Sequence, residues 1–206
     1  MKNPLRRITE RRETPGLVWD ALVDSSRKST VIQKNIRLPK ELEATPEGEE
    51  IWNRLFSETT GLWSGSSNQV PVVAVHQRLH EALFYARTAG HVLRSYEQIA
   101  LELKRGKRGL ESLQKKTGQA ASNRVSRMVF VTRDGSDRFY RRCGELLDRY
   151  GNLILLCQLD VLSDELGGIL YGKPENVKVI MITHKRSIIH VLRSLLPARS
   201  LGARTD

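Results

Sequence analysis

Helical patterns and uninterrupted apolar runs alternate along residues 76–196, and this alternation restricts the fold more than any other feature of the sequence. Three runs rich in β-branched and other apolar residues, at 124–132, 153–159 and 177–183, predict buried strands. Helical patterns at 76–89, 96–105, 136–150, 163–171 and 187–196 precede, separate and follow them. Strands that are apolar on both faces are typical of a sheet covered by helices on both sides. We therefore expect the α/β class, as a three-layer α/β/α sandwich with a small mixed sheet.

The ends of two predicted helices carry clear signals. Ser95 suits an N-cap, and Gln98 three residues later completes a capping-box pattern. Gly106 is expected to end the helix that Ser95 begins. Ser163 is predicted to cap a later helix in the same way. The helix after Ser95 is thus expected to be short, with a connection following Gly106.

Residues 1–71 differ in composition and residue pattern from the rest of the chain. They combine scattered charge and prolines with a Gly/Ser-rich stretch at 61–68, and they hold all three tryptophans. Short apolar pieces at helical spacing occur at 17–23 and 49–56. We expect a partly irregular N-terminal extension (1–71) that docks on its own domain or on a partner. The α/β/α domain is predicted at 72–197, and residues 198–206 form a basic tail.

The chain is strongly basic, with a formal net charge of +11 and a pI near 10.0. Such an excess favours a polyanionic partner through counterion release, although solubility alone is the other explanation. The densest basic patch, residues 104–127, contains eight cations and a single acidic residue, Glu111. The cations are Lys104, Arg105, Lys107, Arg108, Lys115, Lys116, Arg124 and Arg127. Charged surface loops usually mix both signs. We therefore predict a basic insertion at about 108–123, a flexible loop that contacts phosphates.

Catalytic and metal-binding patterns are missing from the sequence. Cys143 and Cys157 fall in a predicted helix and a predicted strand, which indicates reduced core thiols. His76 and His80 have the spacing of a metal pair, but no nearby residues complete a ligand set. Neither the P-loop pattern nor the dinucleotide-binding glycine pattern occurs. We therefore expect a protein that is not an enzyme and that needs no cofactor or metal.

No apolar run reaches the roughly 18–20 residues that a membrane span needs, so no membrane partner is expected. The amino terminus is rich in arginine and lacks the apolar stretch of a secretory signal. These features favour an intracellular protein. The arginines at 6–12 leave a mitochondrial location open.

Three segments, read together, resemble a known family. They are LHEALFYARTAG at 79–90, SYEQIALELKRGK at 95–107 and DELGGILYGK at 164–173. Their order and spacing are similar to those of the kink-turn-binding ribosomal protein superfamily, that of L-seven-Ae and L-thirty-e. The resemblance covers about residues 76–196. It implies an α/β/α sandwich and binding of sharply bent RNA at the N-terminus of the second helix.

The resemblance also implies which residues contact RNA. Ser95, Glu97 and Gln98 would face the bend, and Lys104, Arg105 and Lys107 would hold phosphates. Val161, Leu162 and Ser163 form the loop that covers a protruding base in the family, with Arg133 beside it. The charge pattern adds Arg108, Lys115 and Lys116 of the insertion. The sequence departs from the family at Ser95 (usually Gly), Glu97 (usually Asn or Lys) and Leu101 (usually Lys).

The expected function is that of a non-catalytic, structural RNA-binding subunit of a ribonucleoprotein particle. The particle could be a ribosome, a small nucleolar particle or a ribonuclease P, which predicts a ribosomal or nucleolar location with the mitochondrion left open. The expected partners are structured RNA and, through the N-terminal extension, other proteins of the particle. The alternative is a protein-interaction adaptor that kept the fold and lost kink-turn recognition.

Overall fold

A computed structural model describes residue 33 and residues 36–118 and 123–197 of the chain. Within these ranges the strands are β1 (Thr59–Gly61), β2 (Gln69–Val73), β3 (Val92–Arg94), β4 (Arg127–Val131), β5 (Ile154–Leu159) and β6 (Val179–Ile182). The helices are α1 (Lys40–Glu43), α2 (Pro46–Leu55), α3 (Gln77–Thr88), α4 (Tyr96–Thr117), α5 (Asp137–Tyr150), α6 (Ser163–Tyr171) and α7 (Lys185–Ser194). The strands β4, β5 and β6 and the helices between them lie where the apolar pattern places them.

The strands form one mixed sheet in the order β1-β2-β5-β4-β6-β3. β2, β5 and β4 are parallel to one another, whereas β1, β6 and β3 are antiparallel to their neighbours. Along β4, Met128 and Phe130 belong to the core beneath α1, α2, α3, α6 and α7. Val129 and Val131 belong to the core beneath α4 and α5, on the other side of the sheet. The fold is therefore the predicted three-layer α/β/α sandwich.

The described part of the N-terminal extension is built into this sandwich. Its buried side chains in the first core are Ile36, Leu38, Leu42, Ile51 and Leu55. Leu62 is buried in the second core, and Trp63 packs against it. β2 also crosses the expected boundary at residue 72. The described part of the extension, from residue 36, therefore contributes side chains to both cores of the domain. Residues 1–32, with the apolar piece at 17–23, and the tail at 198–206 lie outside the described residues.

The predicted end of α4 at Gly106 is wrong. The helix does not end at Gly106 but continues to Thr117, where Gly118 adopts a φ of 67° and donates its N–H to the carbonyl oxygen of Gln114 at 2.9 Å. A glycine in a helix interior costs about 1 kcal/mol relative to alanine, which good helix formers around it can offset. The predicted loop is therefore helical up to Thr117, and residues 119–122 lie outside the described residues.

A single side chain completes the edge of β5. Among the described residues, β2 pairs only with Gln158 and Leu159, the end of β5. Nearer the start of β5, the side-chain amide of Gln33 donates to the carbonyl oxygen of Leu156 and accepts from its N–H, both at 2.9 Å. Gln33 is fully buried. This amide takes the place of a neighbouring strand, because buried backbone groups need partners.

Replacing Gln33 with alanine should leave both backbone groups of Leu156 without partners inside the core. We expect the free energy of unfolding to fall by about 1–3 kcal/mol, measured by urea denaturation. Gln77→Ala is the matched control, because Gln77 is exposed and bonds only to Glu81 at 2.8 Å; its effect should stay within about 0.5 kcal/mol. Equal effects of the two substitutions would contradict the role of Gln33.

Two adjacent glycines in α6 offer a sharper comparison. A Cβ atom at Gly167 would lie 2.0 Å from the carbonyl oxygen of Glu175, whereas at Gly168 it would meet nothing within 4 Å. Gly167→Ala should therefore force the backbones apart and destabilise the fold by about 1–3 kcal/mol. Gly168→Ala should stabilise it by about 0.5–1 kcal/mol through helix propensity. Thermal unfolding of the two variants checks this, and a stable Gly167→Ala protein would refute the close packing.

Candidate nucleic-acid interface

The start of α4 has the cap that the sequence predicts. The Ser95 hydroxyl accepts the backbone N–H of Gln98 at 3.4 Å. Ser95, Glu97 and Gln98 are all exposed. They therefore present the first turn of α4, with its positive dipole end, to solvent.

The backbone of Ser95 has an unusual conformation. Its φ is 77° and its ψ is 140°, and it is the one non-glycine residue with positive φ among those that the structure describes. This region is nearly restricted to glycine and costs a side-chain-bearing residue about 1–3 kcal/mol. The position therefore has the backbone geometry of a glycine, the residue that the resembled family usually carries there.

Glu97 is held by a neighbouring helix. Its carboxylate lies 3.1 Å from the guanidinium of Arg142 in α5, whose side chain also stacks on the Tyr96 ring at 4.0 Å. Hydrogen bonding to its own backbone N–H and to Arg142 lowers the pKa of Glu97. The carboxylate thus stays ionised, but Arg142 balances its charge at the start of α4.

The ends of β4 and β5 bring another group of predicted residues together. The Arg133 N–H donates to the carbonyl oxygen of Val161 at 3.1 Å, and the Ser163 hydroxyl donates to Asp134 at 2.6 Å. Partial burial would raise the pKa of Asp134, but hydrogen bonds from Ser163 and from the Thr132 hydroxyl lower it overall. These contacts arise because parallel strands end at the same edge of the sheet. Arg133 therefore lies beside the loop that precedes α6.

Ser163 is not the N-cap of α6, contrary to the prediction. The cap is Leu162, whose backbone N–H donates to the Glu165 carboxylate at 2.5 Å. Ser163 is the first helical residue, and its hydroxyl donates a hydrogen bond to Asp134 instead of capping the helix. Leu162 remains 38% exposed, so the loop presents an apolar side chain at this edge.

Residues 175–179 connect the two groups. They line a surface depression with Ser95, Tyr96, Glu97 and Arg142. Within the segment, the Val177 N–H donates to the carbonyl oxygen of Ser163 at 3.0 Å. The start of α4 and the loop before α6 therefore lie at one edge of the sheet. We call the predicted residues found there the carboxyl-edge cluster: Ser95, Glu97, Gln98, Arg133, Val161, Leu162 and Ser163.

The other predicted residues lie elsewhere. α4 crosses the sheet from that edge, and the Glu102 carboxylate already lies 3.5 Å from Arg127 at the start of β4. Leu103 is the last buried residue of α4, and nearly every residue from 104 to 118 is exposed. At about 1.5 Å per residue, Lys116 lies about 30 Å along the helix from Ser95. We call residues 104–117 the basic arm; its cations are Lys104, Arg105, Lys107, Arg108, Lys115 and Lys116.

The basic arm concentrates on one helix cations that have no carboxylate partner in the described structure. Within the described ranges, no carboxylate lies within salt-bridge distance of the six arm cations, although Lys107 reaches the carbonyl oxygen of Arg149 at 3.4 Å. On the other layer, Arg193 pairs with Glu47 at 3.2 Å and Lys185 with Glu41 at 2.5 Å. The arm therefore carries positive charge that these carboxylates do not neutralise.

The structure adds cations of α5 that the sequence interpretation missed. Arg138, Arg141 and Arg142 are exposed on α5, beside α4. Besides the stacking of Arg142 on Tyr96, Arg141 lies 6.0 Å from the Trp63 ring centroid. Lys107 of the arm likewise lies 5.7 Å from the Tyr150 ring. The spacing of the three arginines was a visible signal, but their contacts with aromatic rings depend on the packing of α4 against α5.

The two cysteines are buried in the two cores of the sandwich. Burial raises the pKa of Cys143 to about 12 and raises that of Cys157 as well, so both thiols stay protonated. In the part of the chain that the structure describes, no three His, Cys, Asp or Glu side chains gather as a metal site requires. None of the helices found there combines the length and apolar character of a membrane-spanning helix.

The fold and its surface define a class, a three-layer α/β/α protein with a projecting basic helix. No protein-family model matches the sequence, and no curated protein matches it. Among solved structures, the chain is similar to one described as "The structure of a protein with unknown function from Bacillus halodurans C", at 16% sequence identity with a TM-score of 0.42. The match covers 58% of this chain and 98% of that chain.

The backbone of Ser95 allows a direct test. Ser95→Gly should remove the positive-φ penalty and raise the free energy of unfolding by about 1 kcal/mol, after the loss of the cap and the greater freedom of unfolded glycine. Ser136→Gly is the matched control, because Ser136 caps α5 through the Phe139 N–H with an ordinary φ of −75°. That variant should be slightly destabilised. Chemical denaturation measures both, and destabilisation at both positions would contradict the strained geometry at Ser95.

Proposed function

We propose that the protein is a non-catalytic RNA-binding subunit of a ribonucleoprotein particle, and that it holds structured RNA on the layer formed by α4 and α5. The observation that carries this proposal is the basic arm, where six exposed cations lie along one helix and none of them has a carboxylate within salt-bridge distance among the described residues. A polyanion gains free energy there by releasing its counterions. A ribosomal or nucleolar particle suits such a subunit, and a mitochondrial one stays open.

The aromatic contacts of this layer favour a nucleic acid over other polyanions. Arg142 and Arg141 lie against Tyr96 and Trp63, so guanidinium groups and ring faces occur side by side on one surface. Such surfaces contact phosphates through the cations and unstacked bases through the planar groups. The half-buried rings are held by the domain, which gives the surface a fixed shape.

The two separated groups of residues suggest two roles. The basic arm would bind RNA backbone without regard to sequence, because its groups are flexible cations. The carboxyl-edge cluster would distinguish RNA shape, because it combines the positive end of a helix dipole with the exposed Leu162. The glycine-like backbone at Ser95 is one reason to propose that this position acts as it does in the resembled superfamily.

A salt titration tests the first role. A triple variant in which alanine replaces Lys104, Arg105 and Arg108 should bind a fluorescent RNA hairpin more weakly than the unmodified protein. The slope of log K against log salt should become shallower by about 0.7–0.9 per lost phosphate contact. Alanine keeps the helix intact. The matched control replaces Lys40, Arg54 and Arg186 of the opposite layer, which removes the same charge. Equal effects of both triple variants would reduce the proposal to nonspecific attraction by net charge.

The second role is tested with paired probes, a hairpin that contains a kink turn and a plain duplex of equal length. A Leu162→Asp substitution should reduce the preference for the kink-turn hairpin while leaving binding to the duplex nearly unchanged. Crosslinking of RNA in cells then identifies the natural partner. If the protein copurifies with proteins and only background RNA, the adaptor function replaces the RNA-binding one.

A further inference from the structure

The basic arm also has an apolar face. Leu103, Gly106, Leu110 and Leu113 follow one another at spacings of three and four residues, the repeat of a helix that packs along another helix. Leu103 is buried in the second core, but Leu110 and Leu113 are 36% and 60% exposed. The apolar face that packs α4 against the sheet therefore continues on the part of the helix that extends beyond the sheet. We call these four residues the apolar seam.

A groove borders the seam. It has a volume of about 380 Å³ and lies between Leu103, Gly106 and Leu110 on one side and Val125 and Leu153 on the other. A Cβ atom at Gly106 or Gly109 would meet nothing within 4 Å, so the helix surface beside the groove is open. The seam and the groove together form an elongated apolar surface.

The N-terminal extension reaches the described fold at this groove. The carbonyl oxygen of Arg37 accepts the N–H of Val125, a residue of the groove wall, at 2.7 Å. Four residues earlier, Gln33 is fixed to Leu156. The apolar piece at 17–23 ends ten residues before Gln33, a stretch of chain that spans up to about 35 Å. Leu113 lies only about 15 Å along α4 from Leu103, a distance shorter than the span of that stretch of chain.

The chemistry of that piece matches the surface. Val18, Trp19, Leu22 and Val23 recur at helical spacing. Residues 13–26 carry the three carboxylates of Glu13, Asp20 and Asp24 and no lysine or arginine. On the arm, Lys107 and Lys116 occupy the positions that flank the seam in a helical pair, where opposite charges stabilise the pairing.

We propose that residues 13–26 of the chain dock on the apolar seam and the adjoining groove, with their carboxylates beside Lys107 and Lys116. The docking covers Leu110 and Leu113 and braces the part of α4 that projects from the domain. It does not depend on the proposed RNA binding, because the seam contains no cation. The occupant is the chain itself, supplied at high effective concentration by a short tether.

Hydrogen–deuterium exchange of the RNA-free full chain tests the docking. Amides of residues 104–117 should exchange about tenfold more slowly in the unmodified protein than in the double variant Val18→Asp, Leu22→Asp, which places charge on the apolar face of the piece. The matched control, Leu5→Asp with Ile8→Asp, makes the same kind of change earlier in the extension and should keep the slow exchange. Amides of α5 report that every variant is folded.

Each other outcome overturns the docking. Equally fast exchange of the arm in all three proteins means that the seam is uncovered. Slow exchange that survives the double variant but disappears when residues 1–28 are deleted assigns the contact to another part of the extension. Slow exchange that grows with protein concentration, with a dimer in light scattering, means that a second copy covers the seam. RNA binding is measured on separate variants, so the two proposals fail independently.

Discussion

β4 is paired along both edges and buried on both faces, and the position of every candidate RNA contact follows from its pairing. It lies between β5 and β6, and Met128, Val129, Phe130 and Val131 are fully buried. Because β5 is parallel to β4, their carboxyl ends meet and set Arg133 beside Val161. Because β6 is antiparallel, it begins at that same edge. β3 ends there opposite β6, so α4 starts beside the loop that precedes α6.

Because α4 is long, the candidate RNA contacts form two separate surfaces, the carboxyl-edge cluster and the basic arm. Had the helix ended at Gly106, its cations would have stayed close to the carboxyl edge and formed one site with it. Since it runs to Gly118, the arm leaves the domain at the opposite edge of the sheet. One rigid element thus fixes the separation between the residues that would distinguish RNA shape and those that would hold its backbone.

The sequence predicts the middle of this molecule better than its ends, for identifiable reasons. Buried strands such as β5 appear as unbroken apolar runs, and the cap at Ser95 follows from local chemistry. The continuation through Gly106 was not predictable from that residue alone, because glycine both ends helices and occurs inside them. The structural role of Gln33 depends on Leu156, which is 123 residues away. The Arg142–Tyr96 contact likewise requires knowing that α4 packs on α5.

The basic arm can serve two partners because its two chemistries lie on different sides of the helix. At 100° per residue, the apolar seam at 103, 106, 110 and 113 occupies one side, and Lys104, Arg105, Arg108 and Lys115 lie on the other. Only Lys107 and Lys116 lie at the borders. A segment docked on the seam would therefore leave four cations facing solvent, and it would stiffen the helix that presents them. A helix braced in this way loses less conformational entropy when it binds RNA, so docking of the extension would strengthen RNA binding rather than compete with it.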